Sequence, residues 1–114
     1  MSWTAEAQKR AVASVISGRR EFALVLSDGT EYADGPRVSG MLSGPIEQDG
    51  AYRAFNVDVL EFPAFARTET RDVAAIAVYD GPVRLVVVPV GRVAMTERVQ
   101  VVLRPKDLWV GVSQ

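Results

Sequence analysis

The side chains best suited by type to acid–base or metal chemistry are Asp28, Asp34, Asp49, Asp58, Asp72, Asp80 and Asp107. Most of them stand next to a glycine or inside a turn, where aspartate is chosen because its short carboxylate hydrogen-bonds the local backbone. Glu69 and Asp72 lie beside Arg67 and Arg71, a pattern that reads as a salt-bridged surface link. Asp28, Glu31 and Asp34 supply oxygens near one turn but lack the loop spacing of a calcium-binding hand. The chain has no histidine and no cysteine, which removes imidazole bases, thiolate nucleophiles, Cys/His zinc sites and disulfides. No GxSxG, Walker or GxGxxG pattern is present. The expectation is a protein without catalytic residues, metal or cofactor.

Bulk composition bounds the remaining classes. A chain of 114 residues with 48% hydrophobic residues matches a single globular domain, 1–114, with a real core. Thirteen Lys and Arg stand against 14 Asp and Glu, so the broad basic field of a nucleic-acid binder is missing. Arg19-Arg20 is a lone basic pair, and the aromatics do not interleave with cations as a stacking platform requires. No apolar run approaches the length of a bilayer crossing, and the run 85–90 contains Pro89. The first residues lack a basic start and an apolar h-region, so no signal peptide is visible. A soluble protein made in the cytoplasm, binding neither nucleic acid nor membrane, is expected.

The elements that would position any site are mostly strands. Residues 4–17 read as a helix, with Thr4 as N-cap, Glu6 at the positive end of the dipole and Gly18 as its stop. Val12, Val15 and Ile16 form one narrow apolar face, continued by Ala5 and Gln8. This predicts packing on a sheet edge or a neighbouring subunit rather than core formation. Strand 21–26 alternates Phe22, Leu24 and Leu26 with Ala23 and Val25, and Ser27-Asp28-Gly29-Thr30 is a tight turn. Residues 33–50 are loop-rich, broken at Asp34-Gly35-Pro36, with a short strand at Val38 and Met41-Leu42. Strand 52–62 alternates, placing Phe55, Val57 and Val59 inward and Asn56 and Asp58 on a solvated or intersubunit face. Strand 73–79 is apolar on both faces, as a central strand should be. Asp80-Gly81-Pro82 turns it into 83–90, where Pro89 marks an edge or bulge. Residues 92–96 are short and mixed. Strand 98–104 and a last strand from Leu108, carrying Trp109, Val110 and Val112, complete the chain. The fold is therefore mainly β: a β-sandwich of about seven or eight short antiparallel strands (20–113) with one N-terminal α-helix. Trp3 and Trp109, near the two termini, belong to a residue type enriched in protein interfaces.

The order of these motifs carries a resemblance. Trp3-Thr4 opens the helix. Phe22-Ala23-Leu24-Val25-Leu26-Ser27 and the Asp28-Gly29-Thr30 turn follow, then the Tyr52-Arg53 pair, Leu60-Glu61-Phe62-Pro63 and Val73-Ala74-Ala75-Ile76-Ala77-Val78-Tyr79-Asp80. The series resembles a family of small tailed-bacteriophage virion proteins described as minor tail or tail-fibre-like proteins. The chain departs from that family in a shorter Gly/Thr-rich loop and in Arg71-Asp72 where an aromatic is usual. The resemblance implies a non-enzymatic structural protein of a phage or prophage virion, made in the host cytoplasm. It implies assembly by contacts with identical copies and other virion structural proteins, most readily in the tail. A capsid decoration or head–tail role is the alternative within this reading. A ligand- or carbohydrate-binding β-sandwich using Tyr32 and Tyr52 is the alternative outside it. The expected contact residues are Trp3, Val12 and Ile16 on the helix, Met41, Tyr52 and Trp109.

Overall fold

Strands with apolar residues on both faces can only be stable inside a sheet, and two such strands form the centre. The computed structural model describes residues 4–32, 37–65 and 68–111. The predicted breaks at Asp34-Gly35-Pro36, together with Trp3, Arg67 and Val112, lie outside these residues. Among the described residues the chain runs through a helix α1 (Ala5–Ala11), a π-helical turn (Val12–Ile16) and nine strands. These are β1 (Gly18–Leu26), β2 (Val38–Leu42), β3 (Ile46–Gln48), β4 (Ala51–Phe55), β5 (Leu60–Glu61), β6 (Asp72–Asp80), β7 (Val83–Ala94), β8 (Val102–Leu103) and β9 (Trp109–Gly111). All pairings are antiparallel. The sheets have the orders β2-β1-β6-β7, β3-β4-β9 and β5-β8.

As the sequence predicts, β6 is central and buried on both faces. Its Ile76 and Val78 join Phe22, Leu24, Leu60, Phe62 and Val110 in the main core. Its Ala75, Ala77 and Tyr79 form a second apolar layer with Ala23 and Val25 of β1 on the opposite face. Gly40 of β2 is needed at the close approach of β5. A Cβ there would stand 2.6 Å from Leu60 Cδ2 and 3.3 Å from the Phe22 ring.

The helix departs from expectation. Thr4 Oγ1 accepts from the Ala7 N–H at 3.1 Å, so the cap forms as read. However, Val12 and Ile16 belong to the main core, and Val12 is wholly inaccessible. The buried stripe is Gln8, Val12 and Ile16, one residue per turn, and Val15 faces solvent. A narrow face is enough here because the helix packs onto β4 and closes the core.

Strand boundaries also shift. Residues 33–50, expected to be mainly loop, include β2 and a β3–β4 hairpin. Its turn is Asp49-Gly50, with φ of 53° and 81°, the left-handed pair of a tight hairpin turn. The expected strand 52–62 is two strands, β4 and β5, separated by a bend at Asp58. The mixed segment after Val90 simply continues β7 to Ala94. Strand 98–104 shortens to β8, and Arg98 at its expected start adopts φ 72°.

Candidate functional site

The four-stranded and three-stranded sheets meet differently along their two sides. Along one side they are stitched together. Leu42 of β2 bridges Asn56, the residue after β4. Ser43 N–H donates to Phe55 O at 2.8 Å, and Val57 N–H to Met41 O at 2.9 Å. This bridge links the two sheets in the order β7-β6-β1-β2 and β4-β9.

Asn56 holds the same end of β4 on its other side, toward β9. Strand alternation places it on a solvated or intersubunit face, yet it is 1% exposed. Its Nδ2 donates to Arg104 O at 2.7 Å and to Asp58 O at 3.0 Å, and its Oδ1 accepts from Leu108 N–H at 2.9 Å. Its backbone exchanges further bonds with Leu108 and Lys106. The buried amide thus ties the β4 end to the turn before β9. Tyr52, Ala54 and Asn56 consequently face inward. Val57 and Val59, expected inside, are each 51% exposed. The hydrophobic pattern could not show this, because the amide is held inside by its partners and not by its polarity.

Along the other side the ladder ends. Among the described residues, strands β7 and β9 each pair on one edge only, and together they wall an open cleft of about 480 Å³. Its apolar lining includes Val86, Val88 and Val90 from one wall and Leu108, Trp109 and Val110 from the other. The orientation of the edge groups follows from the ladder. Leu24 O accepts from Tyr32 N–H, away from β6. Its partner Ile76 must therefore turn its N–H and C=O toward Val88 of β7, because backbone groups alternate sides along a strand. Val87 and Pro89 then present theirs to the cleft, and Pro89 has no N–H to present. On the opposite wall Leu108 O is taken by Asn56 N–H. By the same alternation Trp109 and Gly111 point their backbone groups outward.

Trp109 stands at the lip, 46% exposed, with the Arg53 guanidinium carbon 4.1 Å from its ring centroid. Arg53 is held in turn by Gln48 Oε1 at 3.0 Å. Stacking of this kind fixes the indole in one orientation. Gly111 lets Arg53 lie close, since a Cβ there would be 3.2 Å from Arg53 Cγ.

The contact residues expected from sequence are thus separated. Trp109 lines the cleft. Met41 is 40% exposed on the outer face of the stitched side. Tyr52 is half-buried and packs against the core, while Val12 and Ile16 are core residues with no surface to offer. Tyr32, invoked for a carbohydrate site, is buried edge-on to Phe65 at 5.9 Å. Pro89 was the one sequence signal of an unpaired edge. The valines and the Asn56 stitch that shape the two sides were missed.

The charged groups near the first turn are structural. Asp28 accepts from Thr30 Oγ1 at 2.6 Å and from Thr30 N–H, and also meets Arg71. The threonine bonds, aided by Arg71, lower its carboxyl below the usual range despite slight desolvation. Burial would raise Glu31, but hydrogen bonds from Arg37 and Tyr79 and the nearby Arg84 charge outweigh it and lower its carboxyl. The Tyr79 hydroxyl donates to Glu31 and accepts from Arg84 Nε, both at 2.9 Å. Arg37 lies over the Tyr79 ring at 3.7 Å. Among the described residues no cluster of acidic side chains is arranged to hold a metal ion. No helix there is long and apolar enough to cross a membrane.

Fold and surfaces define a class: a mainly β sandwich, stitched on one side and open on the other. No protein-family model, curated protein or solved structure matches the chain.

Proposed function

We propose that the protein is a non-enzymatic assembly component, a structural part of a tailed-phage or prophage virion that works by protein–protein contact, most readily in the tail. The observation that carries this reading is the open seam. Two unpaired strand edges flank an apolar cleft with an oriented tryptophan at its lip. Unpaired edges beside apolar surface favour strand addition and association, and tryptophan is a frequent anchor of interfaces. The virion setting rests on the motif order from Trp3-Thr4 to Tyr79-Asp80.

Sedimentation and negative-stain microscopy of the purified protein test this reading. It expects concentration-dependent oligomers, seen as rings, stacks or short tubes. A monomer at every concentration would overturn assembly through like copies.

A further inference from the structure

The N-terminal helix joins the sheet through a hinge of two residues. Ile16 ends the helical turns, Ser17 is extended at φ −65° and ψ 154°, and Gly18 opens β1 with φ 109°. That φ turns the chain back toward the sheet and strains any residue but glycine. A Cβ at Gly18 would have room, its nearest neighbour Arg20 Nη1 lying 3.9 Å away. Backbone conformation alone therefore excludes a side chain. Just before the hinge the helix is wound wide. Ser17 N–H reaches back five residues to Val12 O at 2.8 Å, a π geometry that is rare and concentrated at functional sites.

The hinge also carries polar atoms without partners. Ser17 Oγ and Arg20 Nε are buried and make no hydrogen bond among the described residues. Such orphans cost stability that hydration would recover. The buried face of the helix is Gln8, Val12 and Ile16, and it docks on β4. From Ala5 to Ile16 the helix is too short to hold its shape in water by itself. It therefore needs a docked position, and β4 of any copy offers the same one.

We infer that the helix is exchanged between copies: it swings about Ser17-Gly18 and docks on β4 of a second copy. This inference rests on the assembly reading and adds a link besides the open seam. The surface on β4 already fits Gln8, Val12 and Ile16, so the helix of a second copy fits it equally well. Exchange keeps these contacts, lets the hinge straighten and hydrates the orphaned Ser17 and Arg20 atoms. Trading an identical element is a low-cost route to oligomers, and a short hinge under strain favours it. Val12 and Ile16, which have no free surface within one copy, then become contact residues.

The test refolds carbon-13-labelled and unlabelled full-length protein together and records isotope-filtered NOEs on the oligomers. These should run from the Val12 and Ile16 methyls of one copy to β4 of another. Gly18→Ala strains only the closed hinge, so it should lower the concentration of half-association by about tenfold or more. A Gly-Ser-Gly-Ser insertion between Ser17 and Gly18 relaxes the closed hinge and should weaken exchange instead. Circular dichroism checks that each variant folds; if Gly18→Ala does not, the insertion variant and the wild-type NOEs still decide. Oligomers without NOEs between copies, or folded variants that associate as the wild-type protein does, would overturn the inference while leaving the assembly reading in place. Wild-type and Gly18→Ala proteins that stay monomeric at every concentration would overturn both.

Discussion

The two sides where the sheets of this sandwich meet make a natural experiment. On one, a Leu42–Asn56 bridge and backbone bonds from Ser43 and Val57 join β2 to β4, and the buried Asn56 amide ties that end of β4 to the turn before β9. On the other, β7 and β9 stand apart over a row of valines, with no strand between them among the described residues. The open side is not merely left over. Pro89 faces its missing N–H to that edge, which limits indiscriminate pairing along β7, while Trp109 is stacked in place by Arg53. The comparison separates residues that maintain the fold from residues free to serve contact.

Substitutions should split along this line. Asn56→Ala should have the largest effect. It strands the Leu108 N–H and the Arg104 and Asp58 carbonyls, and at 1–3 kcal/mol for a buried orphan urea unfolding should show a loss of about 4 kcal/mol. Leu42→Ala on the same side should cost about 3 kcal/mol, a usual figure for a truncated core leucine. Trp109→Ala at the open seam should cost below about 1 kcal/mol, mainly its stacking with Arg53, yet weaken association more than either. If Trp109→Ala instead unfolds the monomer, the seam is part of the core and the contrast fails.

Acid sharpens the contrast from a third position. The folded carboxyl of Glu31 titrates below its ordinary range. The unfolded chain therefore binds the extra proton first as pH falls, and stability decreases from the ordinary carboxylate range down through the lowered value. At neutral pH the full contribution is present. Glu31→Gln should be less stable at pH 7 by about 1 kcal/mol and show a shallower decline in that acidic window. An unchanged slope would mean that Glu31 gains nothing from Arg37 and Tyr79.

Much of the architecture was legible in the sequence. Period-two alternation and turn signals gave the mainly β fold, the central position of β6 and the edge at Pro89. What escaped has specific causes. Asn56 reads as a surface residue because two of its three side-chain partners, in the 104–108 turn, are about fifty residues away in sequence. That reversed the phase of the strand and hid the exposure of Val57 and Val59. The Gln8-Val12-Ile16 stripe looked too narrow for a core, which helix–sheet packing made sufficient. The Asp49-Gly50 hairpin was legible in principle from its dipeptide. The cleft was not, because it arises where two strands fail to pair.

Hydrogen exchange at single-amide level most directly tests assembly through the open seam. Dilute protein should exchange the Val87, Trp109 and Gly111 amides rapidly, and concentrated, assembled protein should protect them, with the Leu108 and Val88 amides protected in both. Assembly that leaves those three amides in fast exchange would contradict the account.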